Sequence, residues 1–190
     1  MFNKMRSLSS TRKCLLGLTV ICLAVFVFIS GCGTQTPPPS STDGDNQAVQ
    51  EKKEKVTLYF GDKEAMFLIP EEREVVVPED KSLEVVVLEE LIKGPQNPEL
   101  AITIPKEARV RSVQVENGIA NVDFSKEFQT NHWGGSAGEM MTLSSVTNSL
   151  ASLPGIDKVQ FLLEGQKLES ILGHADNTQP IAPNWDLVKK

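Results

Sequence analysis

What the chain lacks narrows its chemistry first. Its 190 residues hold three cysteines, two histidines and one tyrosine, too few for a cysteine cluster or a metal site with histidine ligand spacing. Cys14 and Cys22 lie in an apolar segment near the N-terminus that is expected to be removed, so the mature chain keeps Cys32 alone, with no disulfide. No acidic residue precedes Cys32. All 25 Asp and Glu follow it, against 15 of the 19 Lys and Arg, which leaves that part of the chain at a net charge of −10. An acidic surface argues against nucleic acid as a partner and against adhesion to anionic lipid by charge alone.

Lys4, Arg6, Arg12 and Lys13 stand before an uncharged, mostly apolar run from Cys14 to Ile29. At about 1.5 Å per residue in a helix the run covers roughly 24 Å, short of the ~30 Å hydrocarbon core. A basic start, an apolar stretch and the small pair Ser30 and Gly31 have the order of a secretory signal. The tetrapeptide Ile29-Ser30-Gly31-Cys32 resembles a bacterial lipobox, which implies cleavage between Gly31 and Cys32 and acylation of Cys32, with palmitate among the chains. Residues 1–31 are therefore expected to be a lipoprotein signal peptide, and the protein to be extracytoplasmic and lipid-anchored to the cell membrane. More than one acyl chain holds stably where a single chain binds reversibly. The basic end stays inside and the acidic remainder is exported.

Residues 32–55 are expected to be the lipidated cysteine and a disordered tether. Gly33 to Lys55 is rich in Pro, Ser, Thr, Gly and charge, with little to bury against its ordering entropy. It reaches ~75 Å fully extended and about 27 Å as a coil. Asp43 and Asp45 lack the glycine and glutamate that a calcium loop requires at fixed spacing, and read as solvated charge.

Residues 56–190 have the size of one domain. Val56, Leu58 and Phe60 alternate with Thr57 and Tyr59, the period of a half-buried strand. A second extended segment is expected at Phe67–Ile69 or Glu74–Val77, bounded by Pro70 and Pro78. Asp80 or Ser82 can cap a helix carrying Leu83, Val87, Leu88, Leu91 and Ile92, stopped by Gly94-Pro95; the run Val85–Val87 keeps a strand open as the alternative. Arg109–Val115 and Ile119–Phe124 flank Asn117-Gly118, a strong hairpin signal. A second helix is expected from Ser136 to Ser152, with Ala137, Met140, Leu143, Thr147, Leu150 and Leu153 on its buried stripe and Pro154-Gly155 after it. A last strand runs from Lys158 to Leu163 and turns at Glu164-Gly165. These elements predict an α+β two-layer sandwich: a small mixed or antiparallel sheet with two helices on one face.

Four stretches, "VTLYFGD", "LIKGPQNPEL", "ENGIANVDFSKEF" and "LPGIDKVQFLLEGQ", occur in the order and spacing of the GerMN domain. The chain resembles that family, found in sporulation and spore-germination lipoproteins and related envelope proteins, across nearly all of residues 56–182. The resemblance implies a fold like the ring-building modules of sporulation assemblies. Some members carry two copies where this chain has one. Where the family commonly has Asn-Thr-Leu in the second helix, this chain has Asn148-Ser149-Leu150, which keeps the hydroxyl. The family supplies no catalytic set.

Nor do the residues themselves supply one. His132 and His174 lack a second ligand at helical metal spacing, and no cofactor motif is present. Glu71 with Glu72, and Glu89 with Glu90, read as solvated faces. Ser144 and Ser145 have no nucleophile elbow around them. Gly134-Gly135 is followed by no lysine, and Met140-Met141 reads as core plus boundary. The loop "FQTNHWGGSAG", Phe128 to Gly138, is the remaining candidate, with His132 and Trp133 as a possible binding pair; packing of Trp133 over the helix start is the favoured alternative. No enzyme is expected. Two functions stay open: a lipid-anchored interaction module that joins an envelope protein complex of sporulation or germination, or a lipoprotein that binds peptidoglycan through the Trp133 loop.

Overall fold

The computed structural model describes residues Lys52 to Lys189. The expected signal peptide, the Gly31/Cys32 cleavage site, the acylated Cys32 and the tether up to Glu51 lie outside the described residues. The elements follow in the order β1 (Lys52–Gly61), β2 (Leu68–Val77), α1 (Leu83–Lys93), β3 (Val110–Glu116), β4 (Ile119–Phe124), α2 (Glu127–Thr130), α3 (Ser136–Ala151), β5 (Lys158–Leu163) and β6 (Gln166–Lys167), with a 3-10 turn at Trp185–Leu187. This is an α+β fold with a small mixed sheet. β3, β4, β5 and β6 form that sheet in spatial order, with β4 and β5 parallel and the other neighbours antiparallel.

The first two strands depart from the expectation in three ways. They form a separate antiparallel ribbon rather than part of the one sheet. β1 starts at Lys52, so Lys52–Lys55, read as tether, pair with Glu74–Val77. β2 is one ten-residue strand that runs through Pro70. The proline is tolerated because its nitrogen sits on the outer edge of the ribbon, where no ladder bond is lost.

The core lies between ribbon, helices and sheet. Val56, Leu58 and Phe60 of β1 meet Val86, Val87, Leu88 and Leu91 of α1, Leu143, Val146 and Leu150 of α3, and Ala120, Val122, Phe124, Val159 and Phe161 of the sheet. Ser82 caps α1 by accepting the Val85 N–H at 3.4 Å, and Gly94 ends it at φ 92°. The valine run is therefore helical: Val86 and Val87 are buried in the core, and that burial outweighs their modest loss of rotamer freedom. Asn117 at φ 52° and Gly118 at φ 78° make the tight turn between β3 and β4. The Gly118 carbonyl then accepts the N–H groups of Asp157 and Lys158, which aligns β5 with β4.

α3 is buried on nearly every side, and its expected stripe is only partly right. Leu143, Thr147, Leu150 and Leu153 are buried, whereas Ala137 and Met140 are exposed, Met140 by 50%. A helix enclosed by neighbours all round carries no clean amphipathic signal. Its second face is hydroxylic. Ser149 Oγ accepts the Tyr59 N–H at 3.0 Å and Ser145 Oγ donates to the Tyr59 carbonyl at 2.5 Å, whereas the Ser152 hydroxyl gives its proton to the Ser149 carbonyl at 2.7 Å and lies 3.4 Å from that of Thr57. The Ala101 N–H completes the edge on the Gly61 carbonyl at 2.8 Å. From Tyr59 to Gly61 the β1 edge that faces away from β2 is thus satisfied by α3 hydroxyls and the Ala101 amide instead of a further strand, whereas among the described residues no hydrogen bond reaches the outward backbone groups of Lys53 and Lys55.

Two parts of the fold carry no periodic signal in sequence. α2 is a single turn whose Phe128 stacks on Phe124 with ring centroids 4.1 Å apart. The C-terminal stretch pairs Ile181 with Val159, exchanges both amide bonds between Asn148 and Asn184, packs Trp185 edge-on against Tyr59 at 5.8 Å, and hands the Lys189 N–H to the Leu68 carbonyl.

Replacing Ser149 by Ala leaves the part-buried Tyr59 N–H without its acceptor. The substitution is expected to cost about 1–3 kcal/mol in urea unfolding. A loss below about 0.5 kcal/mol, within the range of an ordinary surface change, would show that the edge does not depend on the hydroxyl.

Candidate functional site

The loop after α2 places His132 and Trp133. Gly134 turns it at φ 82°, and Gly138 brings the start of α3 so close that a Cβ there would lie 2.8 Å from the Trp133 carbonyl oxygen. His132 Nε2 meets Thr142 Oγ1 at 2.8 Å, and that hydroxyl lies 2.5 Å from the Thr103 carbonyl and 3.0 Å from that of Gly138. With its one proton committed to a carbonyl, the hydroxyl accepts from His132, which fixes the Nε2–H form of the ring. Burial holds the His132 pKa below its ordinary value, against the pull of the nearby Glu139 charge. The indole of Trp133 stacks on the imidazole with centroids 5.7 Å apart and stays 44% exposed. It lines a small pocket of about 140 Å³ with Gly138, Met141 and Thr142 at the start of α3 and with Asp62, Lys63, Ala101 and Thr103.

His174 lies elsewhere, in a larger cleft of about 350 Å³ between the first turns of α3 and the C-terminal stretch. Ser144 and Asp176 line the same cleft. A serine, a histidine and an aspartate in one cleft invite comparison with a nucleophilic triad, but the connections are missing. Among the described residues no hydrogen bond joins any two of them. The Asp176 carboxylate accepts from the N–H and hydroxyl of Thr178 at 2.9 and 2.6 Å, which lowers its pKa. Ser144 sits in mid-helix, 8% exposed. Triad chemistry needs a base on the nucleophile and an orienting group on the base.

The carboxylates tell the same story. Glu139 is fully buried. Its Oε1 accepts from the Ser170 hydroxyl at 2.7 Å and the Ile171 N–H at 2.8 Å, and its Oε2 from the His174 N–H at 3.0 Å. Burial pushes its carboxyl up, but these bonds and the Leu172 N–H outweigh it and hold the pKa below the usual range. Glu71 and Glu90, read from the sequence as solvated, are mostly buried and flank the buried Arg73. Arg73 bonds the carboxylates of both, Glu90 at 2.7 Å, donates to the Gly94 carbonyl at 3.2 Å, and lies 5.7 Å above the Phe60 ring. Burial raises both carboxyls, and hydrogen bonds more than reverse it: from the Asn97 N–H and Arg73 for Glu71, from Lys93 and Arg73 for Glu90. The cluster ties β2 to the carbonyl end of α1, where a cation is favoured. The sequence does not show it because Glu90 and the Gly94 carbonyl belong to α1 and its C-terminal cap, 17 and 21 residues from Arg73, and only Glu71 is a neighbour on the same strand. Met141 is buried and Met140 exposed, as core plus boundary.

Among the described residues no group of three or more His, Cys, Asp or Glu is placed to hold a metal ion. No described helix is long and apolar enough to cross a membrane.

The geometry defines the chain's class as a single α+β module with an aromatic loop and no assembled catalytic constellation among the described residues. A family model described as "Germane: Sporulation and spore germination" matches residues 57–169. The chain belongs to this GerMN family. Two solved structures share the fold, both from the sporulation protein GerM of Bacillus subtilis. Its first GerMN domain is 23% identical, with 70% of this chain and 98% of that one covered, at a TM-score of 0.53. Its tandem GerMN domains are 21% identical over 69% of this chain, which spans 46% of their length, at a TM-score of 0.56. No curated protein matches the chain. The second-helix triplet now has a physical reading: Asn148 clamps the C-terminal stretch, Ser149 satisfies the β1 edge, and Leu150 fills the core.

The sign of the Glu139 effect can be tested. Its folded pKa lies below the unfolded value of about 4.3, so its contribution is fully present above that pH and disappears as pH falls through the folded value. Glu139→Gln is expected to be less stable than the parent at pH 7, with the gap closing below about pH 4. A gap independent of pH in urea titrations would contradict the assignment.

Proposed function

We propose that the protein is a lipid-anchored, extracytoplasmic, non-enzymatic interaction module of the bacterial cell envelope that supports sporulation or germination complexes. One observation carries the non-enzymatic part. Glu71, Glu90 and Glu139 are engaged by structural donors and shifted toward stronger acidity, and the buried Asp123 is held by Arg111 at 2.8 Å and the Gly165 N–H at 2.9 Å. A general acid working near neutrality needs the opposite shift. The module reading also draws on family membership, and the anchor on the lipobox at Ile29–Cys32. In this reading residues 1–31 are the signal peptide, Cys32 carries the lipid, and the residues between it and β1, which begins at Lys52, serve as the tether.

A second reading is favoured by the exposure of Trp133 beside its pocket: recognition of peptidoglycan by stacking of a sugar ring on the indole, with the His132 ring as its backing.

Metabolic labelling with a palmitate analogue is expected to mark the full chain and to fail on Cys32→Ala; equal labelling of both would remove the anchor. The detergent-solubilised full chain is then offered to purified sacculi and, separately, crosslinked in its own membranes. The module reading predicts clean sacculi, one discrete crosslinked envelope protein and little effect of Trp133→Ala. Retention on sacculi that Trp133→Ala abolishes establishes the second reading in its place.

A further inference from the structure

Among the described residues the β1 edge of the ribbon is covered at Tyr59 and Gly61 and open at Lys53 and Lys55, whereas the β2 edge is covered only at Leu68. In an antiparallel pair, backbone groups point alternately toward and away from the partner strand. Tyr59 points its N–H and carbonyl away from β2 into the hydroxyls of α3, so its cross-strand partner Pro70 points away from β1. The register is unbroken, and the same parity applies to Leu68, Glu72, Glu74 and Val76. Leu68 confirms it, since its carbonyl accepts the Lys189 N–H at 2.9 Å beside a parallel bridge to Val188. Beyond Leu68 the edge is empty: among the described residues no hydrogen bond reaches the outward backbone groups of Glu72, Glu74 or Val76.

The open length is extended, unbroken in register and already bridged at its beginning, which are conditions for adding another strand. Its chemistry selects the occupant. The side chains of Glu72, Glu74 and Val76 are all exposed, Val76 by 41%. Glu74 already draws the Lys53 ammonium across the ribbon at 3.1 Å, which shows what cross-strand neighbour this row favours. A second copy pairing β2 antiparallel with β2 brings Glu72 and Glu74 against their equivalents, a like-charge contact. The chain's own residues 33–51 hold no lysine or arginine and three acidic residues, so the expected tether is a poor match.

We infer that the open edge of β2, from Pro70 to Val77, is a docking site for an extended segment of another envelope protein that carries Lys or Arg at alternate positions. The inference rests on the interaction-module reading and gives that reading a surface. Main-chain bonds to Glu72, Glu74 and Val76 supply affinity, the two glutamates select basic side chains, and Val76 offers an apolar position.

The test uses the detergent-solubilised full chain and a peptide of alternating lysine and valine, matched to the ten residues of β2. A second peptide carries the same charge but is N-methylated at each lysine amide, and a third alternates glutamate and valine. The first is expected to bind in fluorescence anisotropy, the second at least about tenfold more weakly, and the third not at all. Glu72→Pro removes one outward N–H while leaving the β1 ladder intact, as Pro70 does, and is expected to weaken the first peptide by about tenfold. Circular dichroism of Glu72→Pro checks that the fold survives, and Glu74→Lys tests the charge without touching the backbone. Equal binding of the methylated peptide, or a full chain that dimerises through β2 and is made monomeric by Glu72→Pro, overturns the inference. A discrete envelope protein still captured by Glu72→Pro removes the edge alone, whereas retention only on sacculi removes the module reading beneath it.

Discussion

The structure depends on how the first strand is held. β1 contributes Val56, Leu58 and Phe60 to the core, yet it belongs to a two-stranded ribbon, an arrangement marginal on its own in water. The hydroxyls of Ser145 and Ser149 on α3 supply the missing neighbour at Tyr59, spaced so that one helix face meets the strand edge. Thr142 continues the face: its hydroxyl bonds the Thr103 carbonyl and receives His132. One polar stripe therefore closes the ribbon against the helix and sets the base of the aromatic loop. Because α3 must serve this edge, the sheet and the C-terminal stretch together, it is buried nearly all round.

Charge is used inside the fold in the same structural way. Arg73 sits between two carboxylates and the carbonyl end of α1, and Glu139 sits within the amides of the loop from Ser170 to His174. Each is costly to bury and is held by several partners, although among the described residues the Arg73 Nε has none; removing one partner leaves an uncompensated buried charge. Their role is to fix where elements meet. The surface left for recognition is elsewhere, on the exposed Trp133 and along the unpaired backbone of β2.

Much of the fold was legible in the sequence wherever a local rule applied. Asn117-Gly118, Ser82 with Gly94, and the alternation in β1, β4 and β5 each encode their own geometry within a few residues. Features that depend on long-range pairing were not legible. The start of β1 at Lys52 has strand character only because Val75, Val76 and Val77 lie opposite, and the passage of β2 through Pro70 needs an outer edge for the proline. The buried hydroxyl stripe reads as ordinary helix polarity until the strand beside it is known. The same holds for the candidate site: His132 and Trp133 were visible as an unusual loop, whereas the Glu71–Arg73–Glu90 cluster and the Ser144, His174 and Asp176 cleft appear only when distant segments are brought together.

The central claim is that the protein itself closes the Tyr59 end of the β1 edge, while the β2 edge beyond Leu68 is left for a partner. Amide hydrogen exchange resolved by residue tests it most directly, in the free full chain and again in the membrane-derived complex. The account predicts slow exchange at Tyr59, fast exchange at Glu72, Glu74 and Val76 in the free chain, and slowing of those three amides when the partner is present. Equal protection of both edges in the free chain, or no change at β2 in the complex, would contradict it.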